Sequence, residues 1–171
     1  VEGKVTKQEV KKRLQELNNY DGVIVPGGFG SRGIAGKLEV IRYVRENKIP
    51  YLGLCYGMQL AVIEYARNVA GIKGATSKEL DEEAKDDVIT IMESQKEKLG
   101  SSDYGGSMRL GGYTAKLKEG SVVEKIYSSS TISERHRHRY EVNPKYIKQI
   151  EENGLVSSGT SPYGNLMEFI E

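Results

Sequence analysis

The sequence lacks several residue types and patterns that are typical of particular classes of protein. Its 171 residues include one cysteine, no tryptophan, two phenylalanines and four prolines. A single cysteine cannot form an internal disulfide, which excludes the disulfide-stapled secreted scaffolds. No apolar run approaches the roughly 18 residues that a membrane helix requires, so we expect no membrane partner.

Net charge is also nearly absent. The chain has 25 Lys and Arg against 24 Asp and Glu, which gives a formal net charge of +1. This balance argues against a nucleic-acid groove or a membrane-surface protein, and we expect no nucleic-acid partner. The length favours a single domain over residues 1–171, long enough to bury roughly 70% of its unfolded surface.

The first half of the chain alternates between strand and helix patterns. Thr6 and Glu9 form a capping box that predicts the start of a helix. Short apolar runs at 22–25 and 49–54 are typical of buried parallel strands. Helical patterns follow each of them, from Ile34 and from about Met58 to Val69. This order predicts a parallel α/β sheet with right-handed crossovers.

The second half is less regular. Strands are predicted at 88–92 and 135–142, with a polar surface loop at 93–103 between them. Asn143 and Pro144 predict a helix that Gly154 ends, and residues 155–158 and 166–170 predict a hairpin. The predicted fold class is therefore α/β. It has an open, mostly parallel sheet flanked by helices, as in flavodoxin-like folds, and a C-terminal antiparallel hairpin.

A glycine-rich loop follows the first predicted strand. Gly28, Gly30 and Gly33 fit the G-x-G-x-x-G spacing of a dinucleotide loop, between a strand and a helix. The acidic residue that should end the next strand is missing, because no acid lies between Asn47 and Gln59. A plain strand-to-helix turn is a simpler interpretation. The one we favour is a loop whose backbone N–H groups face a developing oxyanion.

The only cysteine lies in the pattern G-x-C-x-G, formed by residues 53–57, between a predicted strand and a helix. This is the cysteine counterpart of the nucleophile elbow. Glycines two residues on either side leave room for a sharp turn, and the helix N-terminus favours the thiolate of Cys55. The alternative is a buried cysteine that acts as a small hydrophobic residue. The flanking glycines favour the nucleophile.

These segments resemble a known family. Residues 26–30 and 50–59 are similar to the class I glutamine amidotransferases. Residues 105–111 and 134–143, with their Met-Arg-Leu-Gly and Arg-His runs, resemble the glutaminase domains of CTP synthases within that family. The resemblance runs from about Asp21 to Glu171.

The resemblance implies a reaction and a set of site residues. Glutamine is hydrolysed to glutamate and ammonia, with Cys55 as the nucleophile that forms a glutamyl thioester. Gly28 and the backbone of Tyr56 are expected to form the oxyanion hole. The implied substrate-binding residues are Gly28, Tyr56, Gly57, Met58, Gln59, Glu79 and Arg139. Of these, Glu79 is expected to hold the substrate amino group.

The resemblance also implies partners outside this domain. The ammonia passes to a synthetase domain of the same full-length chain, which is absent here and converts UTP to CTP with ATP and magnesium. GTP is the implied activator, the enzyme is expected to be a cytoplasmic homotetramer, and no cofactor is expected in this domain. No metal is expected either, since His136 and His138 have no third ligand nearby.

Two departures from the family pattern accompany the resemblance. Tyr56 stands where the family usually has Leu or a similar aliphatic residue. The chain also lacks the family's first strand and its C-terminal His-Pro-Glu segment, so we expect an incomplete or inactive piece. The alternatives are another cysteine hydrolase of this fold, such as a γ-glutamyl hydrolase, or a regulatory domain that has lost its base.

Overall fold

The structure is a computed structural model that describes residues 6–91, 109–164 and 166–171. These residues divide into two compact units, Val1–Glu64 and Tyr65–Glu171, whose boundary falls inside a helix. The predicted loop at 93–103 and residues 105–108 of the family motif lie outside the described residues. The organisation of residues 1–171 as one domain stays a prediction.

The first unit alternates strands and helices, as predicted. Its elements are α1 (Lys7–Gln15), a 3-10 turn (Glu16–Asn19), β1 (Val23–Val25), α2 (Ile34–Glu46), β2 (Tyr51–Gly53) and α3 (Tyr56–Asn68). The predicted capping box is confirmed, because the Thr6 N–H donates to the Glu9 carboxylate at 2.7 Å and the Glu9 N–H donates to the Thr6 hydroxyl at 3.2 Å.

Strands β1 and β2 pair in parallel, with Val25 opposite Gly53. The carboxyl ends of parallel strands meet at one edge of a sheet, where ligands bind in α/β folds. This pairing brings the glycine loop that follows β1 beside Cys55, which follows β2. The two segments that the sequence singled out are thus neighbours.

The prediction that both strands are buried on both faces is wrong. Val25 is buried, but Ile24 and Leu52 are 64% and 52% exposed. They lie opposite each other in the ladder and therefore share one face of the strand pair. An uninterrupted apolar run cannot show which face the described chain covers, so the sequence alone could not separate these positions.

The second unit contains two sheets. Its elements are β3 (Thr76–Ser77), β4 (Asp87–Ile91), β5 (Arg109–Leu117), α4 (Val122–Tyr127), β6 (Thr131–His138), β7 (Tyr140–Val142), α5 (Pro144–Glu152), β8 (Ser157–Thr160) and β9 (Met167–Ile170). The three-stranded sheet has the order β3-β4-β7, and the four-stranded sheet has the order β6-β5-β8-β9. The α/β class and the antiparallel C-terminal hairpin, formed by β8 and β9, are confirmed.

The antiparallel part is larger than a hairpin. Strand β5 pairs antiparallel with both β6 and β8, and β7 pairs antiparallel with β4. The sequence did not predict β5 because Gly111 and Gly112 interrupt its apolar alternation, and Gly111 has a φ of 103°. The predicted strand at 135–142 is two strands, β6 and β7, with only Arg139 between them.

Buried apolar side chains fill the interior of each unit. Those of the first unit include Val44, Leu60 and Ile63, and those of the second include Ile89 and Ile150, all fully buried. Among the residues that the structure describes, no helix is long and apolar enough to cross a membrane.

Candidate active site

Cys55 occupies the sharp turn between β2 and α3. Its φ is 55°, in the left-handed region that side chains other than glycine rarely adopt. Such a backbone costs on the order of 1–3 kcal/mol and persists only where the surrounding structure imposes it. Cys55 is partly exposed. A strained, accessible cysteine at the end of a parallel strand is the arrangement that the G-x-C-x-G pattern predicts, and this geometry is confirmed.

Both glycines of the pattern are sterically required. A Cβ on Gly53 would lie 2.7 Å from the carbonyl carbon of Gly57 and from the nitrogen of Met58. A Cβ on Gly57 would clash with the carbonyl oxygen of Val25 in β1. The start of α3 therefore packs directly on both strands. This close approach fixes where the turn holds Cys55.

Backbone hydrogen bonds hold the turn in place. The Leu54 N–H donates to the carbonyl of Val25 at 2.9 Å, which extends the strand pairing up to the elbow. The Gly57 N–H donates to the Leu54 carbonyl at 2.9 Å, and the Gln59 N–H donates to the Cys55 carbonyl at 3.2 Å. The helix thus begins within one residue of the cysteine.

The glycine loop after β1 lies against the elbow. A Cβ on Gly27 would lie 3.5 Å from the Cys55 Cβ and 3.8 Å from its Sγ. A Cβ on Gly28 would instead lie 3.5 Å from the Tyr56 ring. The role of Gly28 in an oxyanion hole stays a prediction. Sequence reasoning missed Gly27, because the G-x-G-x-x-G pattern begins one residue later.

The Tyr56 side chain links the elbow to this loop. Its ring is 2% exposed, and its hydroxyl donates to the carbonyl of Gly30 at 2.6 Å. The Lys37 ammonium lies 5.5 Å from the centre of the ring, within cation–π range. Tyr56 therefore adds a polar contact between the loop and the nucleophile turn. An aliphatic side chain could not make this contact.

The other predicted pocket residues of the first unit surround the start of α3. Gly57 and Gln59 are buried, and Met58 is partly exposed. The hydroxyl of Tyr51 donates to the Gly57 carbonyl at 2.8 Å, and burial raises the pKa of this tyrosine. It therefore stays a neutral donor at physiological pH.

Glu79 and Arg139 belong to the second unit. Glu79 follows β3, and Arg139 lies at the bend between β6 and β7. Burial raises the pKa of Tyr140, the charge of Glu79 raises it further, and Arg139 lowers it. Both charged groups therefore act on the same tyrosine. The Arg139 Nε is buried and has no hydrogen-bond partner among the described residues.

A buried cluster of charged side chains beside Arg139 was not predicted. The Arg109 guanidinium donates to Glu141 at 2.9 Å and to Glu168 at 2.7 Å, and all three side chains are at most 7% exposed. His136 and His138 complete the cluster, with their Nδ1 atoms 3.1 Å apart. The only sequence signal was the pair of histidines on one face of β6.

Burial governs ionisation in this cluster. It lowers the pKa of His138 to about 4, with His136 and Arg109 acting in the same direction. Burial also lowers the pKa of His136. It raises the pKa of Glu141 to about 7, although Arg109 opposes the shift. At neutral pH both histidines are therefore mainly uncharged, Glu141 is only partly ionised, and Arg109 is the cation that faces both carboxyl groups.

Comparison with known proteins decides the family. The profile described as "Glutamine amidotransferase class-I" matches residues 2–171. The chain belongs to this family. CTP synthases of Methanococcus aeolicus and Methanocaldococcus jannaschii are 54% and 53% identical to it, over 97% and 96% of this chain. The chain spans 30% of the length of each of these relatives.

A solved structure gives the same assignment. The glutaminase domain of Trypanosoma brucei CTPS, described with bound acivicin, superposes with a TM-score of 0.84 and is 38% identical. The match covers 95% of this chain and 61% of the trypanosome chain. The fold of this amidotransferase is therefore that of a CTP synthase glutaminase domain.

Proposed function

We propose that this chain is the glutamine-hydrolysing part of a CTP synthase. The observation that carries the proposal is Cys55, held at a φ of 55° on the turn after a parallel strand, in a chain of the amidotransferase family. Gly27 lies against its sulfur without a side chain that would cover it. A partly exposed cysteine in a sterically fixed turn suits attack on an amide carbon.

The reaction has two steps. The Cys55 thiolate attacks the side-chain amide carbon of glutamine, the C–S bond forms, and the C–N bond breaks as the nitrogen takes up a proton and leaves as ammonia. Water then attacks the thioester, the C–S bond breaks, and glutamate leaves with the thiol restored. Negative charge develops on the amide oxygen in both steps. We assign its N–H donors to Gly28 and Tyr56.

The substrate is a zwitterion at its α-carbon, so it requires one carboxylate and one cation. Glu79 is the proposed partner of the α-amino group, and Arg139 that of the α-carboxylate. Arg139 suits this role because a guanidinium binds a carboxylate through two parallel hydrogen bonds, and its buried Nε has no partner among the described residues. Gly57, Met58 and Gln59 line the side-chain part of the pocket in this proposal.

The complete enzyme in this proposal is a cytoplasmic homotetramer whose synthetase domain uses the ammonia. That domain would bind ATP, magnesium and UTP, and GTP would activate glutamine hydrolysis. These groups are proposed for the whole enzyme and not for the residues described above. The names of the relatives support this proposal, since both are CTP synthases.

Product release by the protein at its natural length tests the proposal. The wild type should release glutamate and ammonia, and hydroxylamine should divert the thioester to γ-glutamyl hydroxamate. Cys55→Ser should release less than a hundredth of the wild-type glutamate and form no hydroxamate. Equal glutamate release by Cys55→Ser would contradict the proposal. CTP formation from UTP and ATP separates it from a free-standing γ-glutamyl hydrolase.

A further inference from the structure

The chain passes from one sheet to the other at Arg139. Strand β6 ends at His138 in the four-stranded sheet, and β7 begins at Tyr140 in the three-stranded sheet. Arg139 is the single residue between them. Its orientation therefore depends on how firmly the ends of the two strands are held.

Three buried ionisable side chains hold these strand ends. Arg109 at the start of β5 lies opposite His138 in the ladder, and its guanidinium reaches Glu141 in β7 and Glu168 in β9. Glu141 belongs to one sheet, whereas Arg109 and Glu168 belong to the other. The Arg109–Glu141 ion pair thus crosses between the sheets beside the bend that carries Arg139, whereas the Arg109–Glu168 pair lies within the four-stranded sheet.

Stability alone does not explain such a cluster. Desolvating three charges costs several kcal/mol per ion, and buried ion pairs of this kind are often replaceable by apolar residues without loss of stability. The cluster is also not fully satisfied, since the buried Nε of Arg109 has no hydrogen-bond partner among the described residues. The ion pairs do fix the orientation of the side chains that form them, because a guanidinium and a carboxylate constrain each other's geometry.

We propose that Arg109, Glu141 and Glu168 form a positioning cluster that holds Arg139 in the orientation that binds the α-carboxylate of glutamine. The proposal rests on the proposed function. The three residues touch no substrate in this account. They act through the backbone of the β6–β7 bend, so their loss should weaken recognition of the carboxylate and leave the chemistry at Cys55 unchanged.

Isosteric variants test the proposal in the protein at its natural length. Glu141→Gln and Glu168→Gln keep the side-chain shape and remove one charge each. We expect each to raise the KM for glutamine about tenfold and to change kcat less than twofold. Glu64→Gln is the matched control, because Glu64 is 1% exposed and pairs with Arg45 through two contacts of 2.8 Å in the other unit. It should lower the melting temperature but not change the KM.

A substrate lacking the carboxylate separates positioning from general damage. Glutamine α-amide keeps the side chain and the amino group but has no α-carboxylate. The wild type and Glu64→Gln should prefer glutamine over this amide by the same factor. Glu141→Gln and Glu168→Gln should lose about tenfold of that preference, because only recognition of the carboxylate is impaired.

The outcomes are distinct. If the wild type releases no glutamate, the proposed function fails. If the wild type is active but both variants keep its KM and its preference for glutamine over the α-amide, the positioning cluster is refuted. It is also refuted if the variants only lose kcat, in the same proportion as Glu64→Gln. Should the single variants not fold, the combined Arg109→Met, Glu141→Gln and Glu168→Gln variant removes all three charges and should fold, yet still lose the preference.

Discussion

The hydroxyl of Tyr56 offers a sharp perturbation of the elbow. Tyr56→Phe removes one oxygen atom and with it the 2.6 Å hydrogen bond to the Gly30 carbonyl. The ring stays buried, so the apolar contacts of the side chain are kept. Such a bond contributes about 1 kcal/mol net. Gly30 lies at the surface, where water can replace the lost donor, so we expect unfolding free energy to fall by about 1 kcal/mol and not more.

The energy of the same hydrogen bond sets an upper limit on the loss of kcat in Tyr56→Phe. This bond ties the glycine loop, which carries the proposed oxyanion donor, to the start of the helix that follows Cys55. If its full energy of about 1 kcal/mol positions that donor in the transition state, kcat for glutamine hydrolysis falls about fivefold. The KM should change less than twofold, because no substrate contact is removed. The backbone donors themselves remain, so the much larger loss typical of deleting an oxyanion donor is not expected.

Steady-state glutamate release and urea unfolding measure the two effects. Tyr43→Phe is the control, since the Tyr43 hydroxyl accepts a hydrogen bond from Asn18 at 2.9 Å on the surface of the same unit. It should leave kcat unchanged. If Tyr56→Phe hydrolyses glutamine as fast as the wild type at saturating substrate, the hydroxyl does not position the loop and this reasoning is wrong.

Four further predictions address the turn, the buried cluster and the substrate. Gly57→Ala should lower the free energy of unfolding by roughly 3 kcal/mol or more, because its Cβ would clash with backbone atoms. Gly36→Ala should raise it by roughly 0.5–1 kcal/mol, since Gly36 lies in a helix with open space around it. Urea unfolding measures both effects. The folded-state pKa of His138 is lowered to about 4, so its contribution to stability is lost as pH falls from 6.5 to 4. The stability of His138→Gln should therefore rise relative to that of the wild type as pH falls over this range. The pKa of Glu141 is raised to about 7, so its contribution to stability is lost as pH rises from 4.5 to 7, and the stability of Glu141→Gln should rise relative to that of the wild type over this range. Thermal melts at each pH measure both differences. If the melting temperatures of variant and wild type change in parallel with pH, the assigned shifts are wrong. In the protein at its natural length, the proposed function predicts that Arg139→Ala raises the KM for glutamine at least tenfold and leaves CTP formation from free ammonia unchanged, and a parallel loss of both activities would make Arg139 structural.

The elbow could be predicted from sequence because its pattern is local. Gly53, Cys55 and Gly57 lie within five consecutive residues, and Gly53 is required by the backbone of Gly57 and Met58 in the same segment. Gly57 is required by the carbonyl oxygen of Val25 in the neighbouring strand, but the G-x-C-x-G pattern already marks it. The same holds for the capping box of Thr6. In both cases the residue pattern occupies a few consecutive positions.

The buried cluster could not be predicted because its members are far apart in sequence. Arg109 is 32 residues from Glu141 and 59 from Glu168, and only the tertiary arrangement of β5, β7 and β9 brings them together. In sequence each looks like an ordinary surface charge. The prediction that Ile24 and Leu52 are buried failed for a related reason, since their exposure depends on which faces the rest of the chain covers.

The central claim is that the protein presents the Cys55 sulfur to the amide carbon of a glutamine-like substrate. Labelling with a diazo-ketone analogue of glutamine, followed by intact-mass and peptide mass spectrometry, tests it most directly. The account predicts one adduct per chain, located on Cys55, with glutamine protecting against it and Cys55→Ser unlabelled. No adduct on the wild type, or equal labelling of Cys55→Ser, would contradict it.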